Sequence, residues 1–278
     1  MTVEDMTLFQ SIFLGIIQGL TEFLPVSSSG HLVIVPHLFG WDIPAADAFV
    51  FDVLVQLATL VGVFAYFWHD LVSITRATLA STREGKPFST PQSRLGWYVF
   101  FATLPAGWLG LVFRNQIKDV FNSALLTALF LLLTASLLFI GERLGRNNRS
   151  LDSLNWKDAI FIGAFQALAL FPGVSRSGAT ITGAMTRDLE RPAAARFSFL
   201  MSIPIMLAAG LLASLELVKI PNMLELLPVF IPGFIAAAVV GYLAIGWLLG
   251  FLSRRPLYVF AIYCIGISLI TIAKAAMG

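Results

Sequence analysis

Charge is scarce in this chain. Asp, Glu, Lys and Arg make up 12% of its 278 residues, about half the roughly 25% of soluble domains. With 58% hydrophobic residues and a mean hydropathy of +0.84, that scarcity excludes a soluble globular protein and a disordered chain. Cysteine is nearly absent. Cys264 stands alone, which excludes an internal disulfide and a cysteine-based metal cage; within its apolar run it reads as a packing residue. Neither sign of charge dominates: the formal net charge is +2, and nothing points to a nucleic-acid partner. The first residues carry Glu4 and Asp5 instead of a basic segment, with no small-residue cleavage site after them, so no removable signal peptide is expected. Alternation is missing too. The run from Ala124 to Ile140 is continuously apolar, which argues against an outer-membrane barrel.

What the chain has is long apolar stretches. Six are long enough to cross a bilayer core as helices, at about 48–69, 95–113, 120–141, 196–217, 227–251 and 257–276. Two others, about 8–24 and 158–171, run into Pro25 and Pro172 and then into turns rich in Ser and Gly. The second covers only ~21 Å at 1.5 Å per residue, short of the ~30 Å core. Each is followed by a further, moderately apolar stretch. The expectation is two re-entrant hairpins, because broken backbone at membrane depth is tolerated where it lines a cavity or is buried in protein.

The two hairpins are copies. Shifted by 148, Gly15 meets Gly163, Gln18 meets Gln166, Phe23 meets Phe171, Val26-Ser27 meets Val174-Ser175, and Ser29-Gly30 meets Ser177-Gly178. With Leu20 on Leu168, eight of the 16 positions from 15 to 30 are identical without a gap. One hairpin and three crossings per half put the second half in the opposite orientation, an inverted repeat. The positive-inside rule agrees. Thirteen Lys and Arg fall in segments 70–94, 142–157, 187–196 and 252–256, read as loops on one side, against Arg114, Lys118, Lys219 and Lys274 on the other. The expected fold is therefore an all-α polytopic membrane protein with six transmembrane helices and two re-entrant helical hairpins. It forms a single membrane domain over 1–278 with repeat halves of about 7–145 and 155–276, and the two Ser/Gly turns meet near the midplane. Gly107, Gly110, Gly233 and Gly241 would allow close helix packing, within one chain or between two copies in a homodimer.

Most charges lie in loops or near span ends; Glu22 and Arg176 are the exceptions, one of each sign in matching repeat elements. An ionisable group inside a membrane is costly and marks function by default. Gln18 shares a helix face with Glu22, and Glu22 near a helix C-terminus opposes the dipole. It therefore needs a compensating partner: Arg176, a metal ion or a proton. The turn Ser27-Ser28-Ser29-Gly30-His31 gathers three hydroxyls, a glycine and an imidazole. The turn Ser175-Arg176-Ser177-Gly178-Ala179-Thr180 adds a guanidinium, which matches phosphate oxygens bidentately. Free N–H groups at helix starts suit the same anion. Ser27, Gly30, Ser175, Arg176, Ser177, Gly178 and Thr180 are thus candidate phosphate-binding residues. Ser28, His31 and Glu22 are candidate catalytic ones, and Glu22 with Gln18 is the candidate metal site.

Gln18-x-x-x-Glu22, Val26-Ser27-Ser28-Ser29-Gly30-His31 and Pro172-Gly173-Val174-Ser175-Arg176-Ser177-Gly178-Ala179-Thr180 resemble the signatures of the undecaprenyl-diphosphate phosphatase, or bacitracin-resistance, family over the whole chain. The resemblance implies removal of the terminal phosphate of undecaprenyl diphosphate, which recycles the lipid carrier for peptidoglycan. It also implies dependence on a divalent cation, Mg²⁺ or Ca²⁺, and a bacterial cytoplasmic (inner) membrane location with the site open to the outer, periplasmic face. The family's first signature position is Glu or Gln, here Gln18; Ser29 stands where threonine is frequent. Three mechanisms stay open on the residues: attack by Ser28 with His31 and Glu22 as activating pair, attack by His31, or water activated by His31. A secondary transporter or lipid flippase for an anionic substrate is the competing reading, since inverted repeats with broken helices are common there; it would need no nucleophile.

Overall fold

The short apolar segments fold as helices because each is capped where it begins and interrupted where it ends. The first, α1 (Leu8–Phe23), opens on Thr7, whose hydroxyl accepts from the Gln10 N–H while the Gln10 side chain accepts from the Thr7 N–H, a reciprocal capping box. It stops before Pro25, with Leu24 extended, the conformation that a following proline imposes. Asn155 and Asp158 form the same box at the start of α7 (Trp156–Leu168).

A computed structural model describes residues 6–113, 123–217 and 223–277. Among them there are eleven α-helices and no β-strand. After α1 come α2 (Ser28–Phe39), α3 (Ala45–Tyr66), α4 (Trp68–Arg83), α5 (Pro91–Val112) and α6 (Ala124–Leu144). A single 3-10 turn then leads to α7, followed by α8 (Arg176–Met185), α9 (Arg191–Leu217), α10 (Met223–Leu252) and α11 (Tyr258–Met277). Six of these, α3, α5, α6, α9, α10 and α11, are long and apolar enough to span a membrane, matching the six expected crossings. The helices of the two paired segments are short: α1, with 16 residues, reaches ~24 Å, and α8, with 10, ~15 Å. Arg114, Lys118 and Lys219, used above to assign sidedness, lie outside the described residues, as do Glu4 and Asp5.

One segment differs from expectation. Residues 70–94, read as a loop, contain most of α4. Its sequence is too polar to span, yet Leu71 and Ile74 pack against the core, and its Thr78 hydroxyl lies beside Gly96 of α5. Periodic apolar contacts on one face suffice for such a helix even when the average is polar.

Matching helices pack on matching partners. α1 lies along α10, and α7 lies along α5. Both seams depend on a glycine at the same repeat position: a Cβ on Gly15 would run into the Gly233 carbonyl, and one on Gly163 into the Ala102 carbonyl. Gly233 is therefore used inside the chain, where it also faces Ser11. α6 touches both α2 and α8, and so stands behind both turns. Beneath them sits a fully buried aromatic group, with Phe23 edge-on to Phe199 at 5.5 Å between centroids. Large apolar residues on the spans, Trp108, Leu211, Ile262 and Leu269 among them, stay exposed, as a surface solvated by lipid requires.

The start of α7 is clamped by charge. The buried Asp158 carboxylate pairs with Arg149 at 2.7 Å and Arg187 at 2.8 Å, joining the segment before α7 to the end of α8. Burial pushes this carboxyl up, but hydrogen bonds from Arg149, Arg187 and the Asn155 amide outweigh it and hold it below its ordinary value of 3.8. Nearby, Glu142 of α6 binds Arg191 at 2.5 Å and accepts from the Leu257 N–H at 2.6 Å, tying α6, α9 and the start of α11 together.

Candidate active site

Each Ser/Gly turn begins a helix with its own serine. Ser27 caps α2 by accepting from the Gly30 N–H at 3.2 Å, and Ser175 caps α8 by accepting from the Gly178 N–H at 3.0 Å. These are the same repeat positions. The turns diverge in how they enter the cap. In the second, Gly173 takes the left-handed conformation at φ 95, packed against the Thr127 carbonyl, a place where any side chain would collide. In the first, the left-handed residue is Ser27 itself, at φ 69. Thr134 of α6 braces the second turn: its hydroxyl accepts from the Ser175 N–H at 2.9 Å and donates to the Gly173 carbonyl at 3.0 Å.

The two turns touch. A Cβ on Gly30 would lie 3.3 Å from the Gly173 Cα, and the Ser177 hydroxyl donates to the Leu24 carbonyl at 3.0 Å. Glu22 is the hub between them. Its Oε1 accepts from Arg176 Nη2 at 2.5 Å, and its Oε2 accepts from the Ser28 hydroxyl at 2.5 Å and from Gln18 Nε2 at 2.9 Å. The Glu22 side chain is 5% exposed and that of Arg176 18%. Two opposite charges taken that far out of water hold together only when paired and hydrogen-bonded. The Arg176 guanidinium commits Nη2 to Glu22 and keeps further N–H donors.

The remaining candidates divide. Ser28 and Ser29 are partly open, while Ser27, His31, Ser175, Ser177 and Thr180 are buried. Ser175 and Ser177 lie 3.1 Å apart, hydroxyl to hydroxyl, and Thr180 donates to the Arg176 carbonyl at 2.8 Å and meets Ser198 at 2.6 Å. These hydroxyls shape the turn that carries Arg176. Of the expected activating pair, only Glu22 reaches Ser28. His31 places Nδ1 2.7 Å from the Ser27 carbonyl and Nε2 2.8 Å from the Tyr263 hydroxyl. Thr134 and Tyr263 are site residues that sequence reasoning missed: each sits in an apolar span with no motif around it, and only the packing brings it to a turn. Cys264 is buried with its thiol facing the Pro25 carbonyl at 3.9 Å, a packing position as expected.

Among the described residues no three His, Cys, Asp or Glu side chains converge on a point. Gln18 Oε1 is nevertheless buried without a partner, beside the Glu22 carboxylate. That all-oxygen donor set fits a hard cation which draws its other ligands from phosphate and water. A cleft of about 570 Å³ lies elsewhere, lined by Asp70, Arg196, Asp152 and Leu200 among others, and contains none of the paired-turn residues.

Residues 11–270 match the family model for bacitracin resistance protein BacA. The chain belongs to this family. It is also similar to proteins named undecaprenyl-diphosphatase in several bacteria. The relative from Thermomicrobium roseum is 43% identical over 272 residues, covering 95% of this chain and 97% of the relative. That from Chlorobaculum tepidum is 44% identical over 279 residues, covering 95% and 96%. That from Moorella thermoacetica is 42% identical over 268 residues, covering 96% and 98%. The matched family region contains both Ser/Gly turns and every residue of the Glu22 hub.

Proposed function

We propose that this chain is an undecaprenyl-diphosphate phosphatase, converting undecaprenyl diphosphate and water to undecaprenyl phosphate and inorganic phosphate and so recycling the lipid carrier for peptidoglycan synthesis. Removal of the diphosphate form is also what counters bacitracin. Family membership and nearly full-length relatives of that name support the activity. The observation that carries the chemistry is the Ser28–Glu22–Arg176 contact: a hydroxyl already on a carboxylate, with a guanidinium in the same cluster.

Arg176 and the N–H groups at the starts of α2 and α8 receive the diphosphate. As its oxygens engage the guanidinium, the Glu22 carboxylate, already hydrogen-bonded to the Ser28 hydroxyl, is left to accept the serine proton. The Ser28 Oγ then attacks the terminal phosphorus while its proton passes to Glu22. The bond to the bridging oxygen breaks, and undecaprenyl phosphate leaves as an anion that needs no proton. Water attacks the phosphoserine, the P–Oγ bond breaks, and Ser28 recovers its proton from Glu22. The proton lost by water leaves with inorganic phosphate. Glu22 and the Gln18 oxygen would hold a divalent cation, Mg²⁺ or Ca²⁺, whose chemistry is to neutralise charge on the diphosphate. Catalysis by the residues themselves is positioning and charge stabilisation. A transporter would use the arginine and the N–H groups but has no need of a serine held on a carboxylate.

The location follows the same reading. The α1–α2 and α7–α8 pairs are re-entrant hairpins entering from opposite sides of the bacterial inner membrane in an inverted repeat, with the basic segments inside and the site open to the periplasmic face. The isoprenoid tail stays in the bilayer against the apolar spans. The test is phosphate release from undecaprenyl diphosphate by detergent-purified protein, with Mg²⁺ or Ca²⁺ and with EDTA, beside Arg176→Ala and Ser28→Ala. Metal-dependent release abolished in both variants is expected. Near-normal release by Ser28→Ala would remove serine as nucleophile, and no release by folded wild-type protein would overturn the reading.

A further inference from the structure

The imidazole of His31 is bound at both ends. Nδ1 faces a backbone carbonyl, that of Ser27, at 2.7 Å. A carbonyl can only accept, so Nδ1 carries the proton and Nε2 holds the free pair of the neutral ring. The Tyr263 hydroxyl, 2.8 Å from Nε2, therefore donates. The two rings lie nearly parallel, 6° apart with centroids at 5.6 Å. A continuous line of bonds thus runs from α11 through Tyr263 and His31 to the carbonyl of the residue before Ser28.

That residue is the strained one. Ser27 has φ 69 and ψ 98, a region that L side chains occupy only when their surroundings over-determine it. Its repeat counterpart, Ser175, has φ −67, and in that turn a buried alanine, Ala179, stands where His31 would be. The histidine strut occurs in the turn that needs holding and not in the relaxed one. The direction of the Ser27–Ser28 peptide sets where Ser28 starts α2, and hence whether its hydroxyl reaches Glu22.

We propose that Tyr263 is a positioning residue of the hydrolytic site, acting through His31 to hold Ser27 in its left-handed conformation and so keep Ser28 on Glu22. His31 is then a strut, not the base or the nucleophile. A hydroxyl suits this place because it can donate to neutral Nε2 and accept from a protonated one, so the ring keeps its position in either state. A phenyl ring keeps the stacking but can do neither. The proposal rests on the hydrolytic reading above.

The experiment compares wild type, Tyr263→Phe and Tyr263→Ala for phosphate release from undecaprenyl diphosphate, and records ¹⁵N spectra of the imidazoles at neutral pH. The chain has three histidines, His31, His37 and His69, so His31→Gln assigns the signal. In wild type the His31 signal should show the Nδ1–H tautomer with a hydrogen-bonded Nε2. In Tyr263→Phe the Nε2 resonance should shift to that of an unbonded nitrogen, with kcat down about tenfold and KM within about twofold. Tyr263→Ala should lose more. A wild-type ring carrying its proton on Nε2 and none on Nδ1, or Tyr263→Phe turning over like wild type, would overturn the proposal; if the variants fail to fold, the wild-type spectrum decides. Failure of the hydrolytic reading looks different: wild type would then release no phosphate whatever the His31 spectrum. Arg176→Ala should lose release while leaving the His31 signal in place.

Discussion

At the residue scale, Glu22 joins three side chains: Gln18 one turn earlier, Ser28 across the first turn, and Arg176, 154 residues further on. Because the pair with Arg176 is nearly buried, removing one partner leaves an uncompensated charge, whose cost in known cases is about 3–5 kcal/mol. Glu22→Gln should therefore lower stability by an amount of that order in denaturant titration, besides losing activity. Glu22→Gln combined with Arg176→Met should regain most of the stability and none of the activity. Arg176→Ala should reduce kcat by a factor on the order of 10³, and Arg176→Lys should recover only part, because an ammonium lacks the planar fork. Turnover and denaturation of the same four proteins separate the two roles. Glu22, Arg176 and Ser28 were legible in the sequence because charge and clustered hydroxyls are conspicuous in apolar surroundings. That His31 turns away from Ser28 was not legible, since the competing partner, Tyr263, lies 232 residues away.

At the element scale, the site depends on how closely α1 approaches α10 and α7 approaches α5. Gly15 and Gly163 leave no room for a Cβ against the facing backbone. Gly15→Ala should push α1 off α10 and displace Glu22 at its far end, so that turnover falls together with thermal stability. Gly250→Ala, at a position with nothing within 4 Å, should change neither; comparing the melting temperatures and rates of the two checks this. The clamp at the base of α7 gives a pH dependence. The folded Asp158 carboxyl lies below its ordinary 3.8, so its pairing stabilises the protein fully above that value and is lost as pH falls through the folded value. The stability difference between wild type and Asp158→Asn should be constant near neutral pH and shrink below about 4, as thermal unfolding at a series of pH values would record. The prolines at 25 and 172 were readable as element boundaries, whereas the capping boxes at Thr7 and Asn155 emerged only with the structure. α4 was not, because its average polarity hid a narrow apolar face that acquires meaning only against α5.

At the scale of the whole molecule, the proposed inverted arrangement makes a prediction about sides. In a Cys264→Ser background, Asp42→Cys, in the exposed link after α2, should react with an impermeant thiol reagent from outside intact cells. Ser253→Cys, in the exposed basic link after α10, should react only once the inner face is opened. Reaction of both from one side would refute the assignment of the basic segments to the inside. Gly233 and Gly241, which sequence alone left open between folding and dimerisation, face Ser11 and Phe23 of α1 in the same chain.

Composition and periodicity by themselves determined that this is a helical membrane protein with six crossings, because apolar length and the absence of charge are local properties summed along the chain. The duplicated turn, with a carboxylate near one copy and a guanidinium in the other, was equally a property of the sequence, since repetition survives without coordinates. Only the tertiary structure decided which hydroxyls are free and which are spent on backbone, that Glu22 and not His31 holds Ser28, and that Thr134 and Tyr263 brace the turns. Those are matters of distance between residues far apart in the chain. A hydrogen bond needs its partners within about 3 Å, and nothing in the one-dimensional order of a span says which neighbour it will meet.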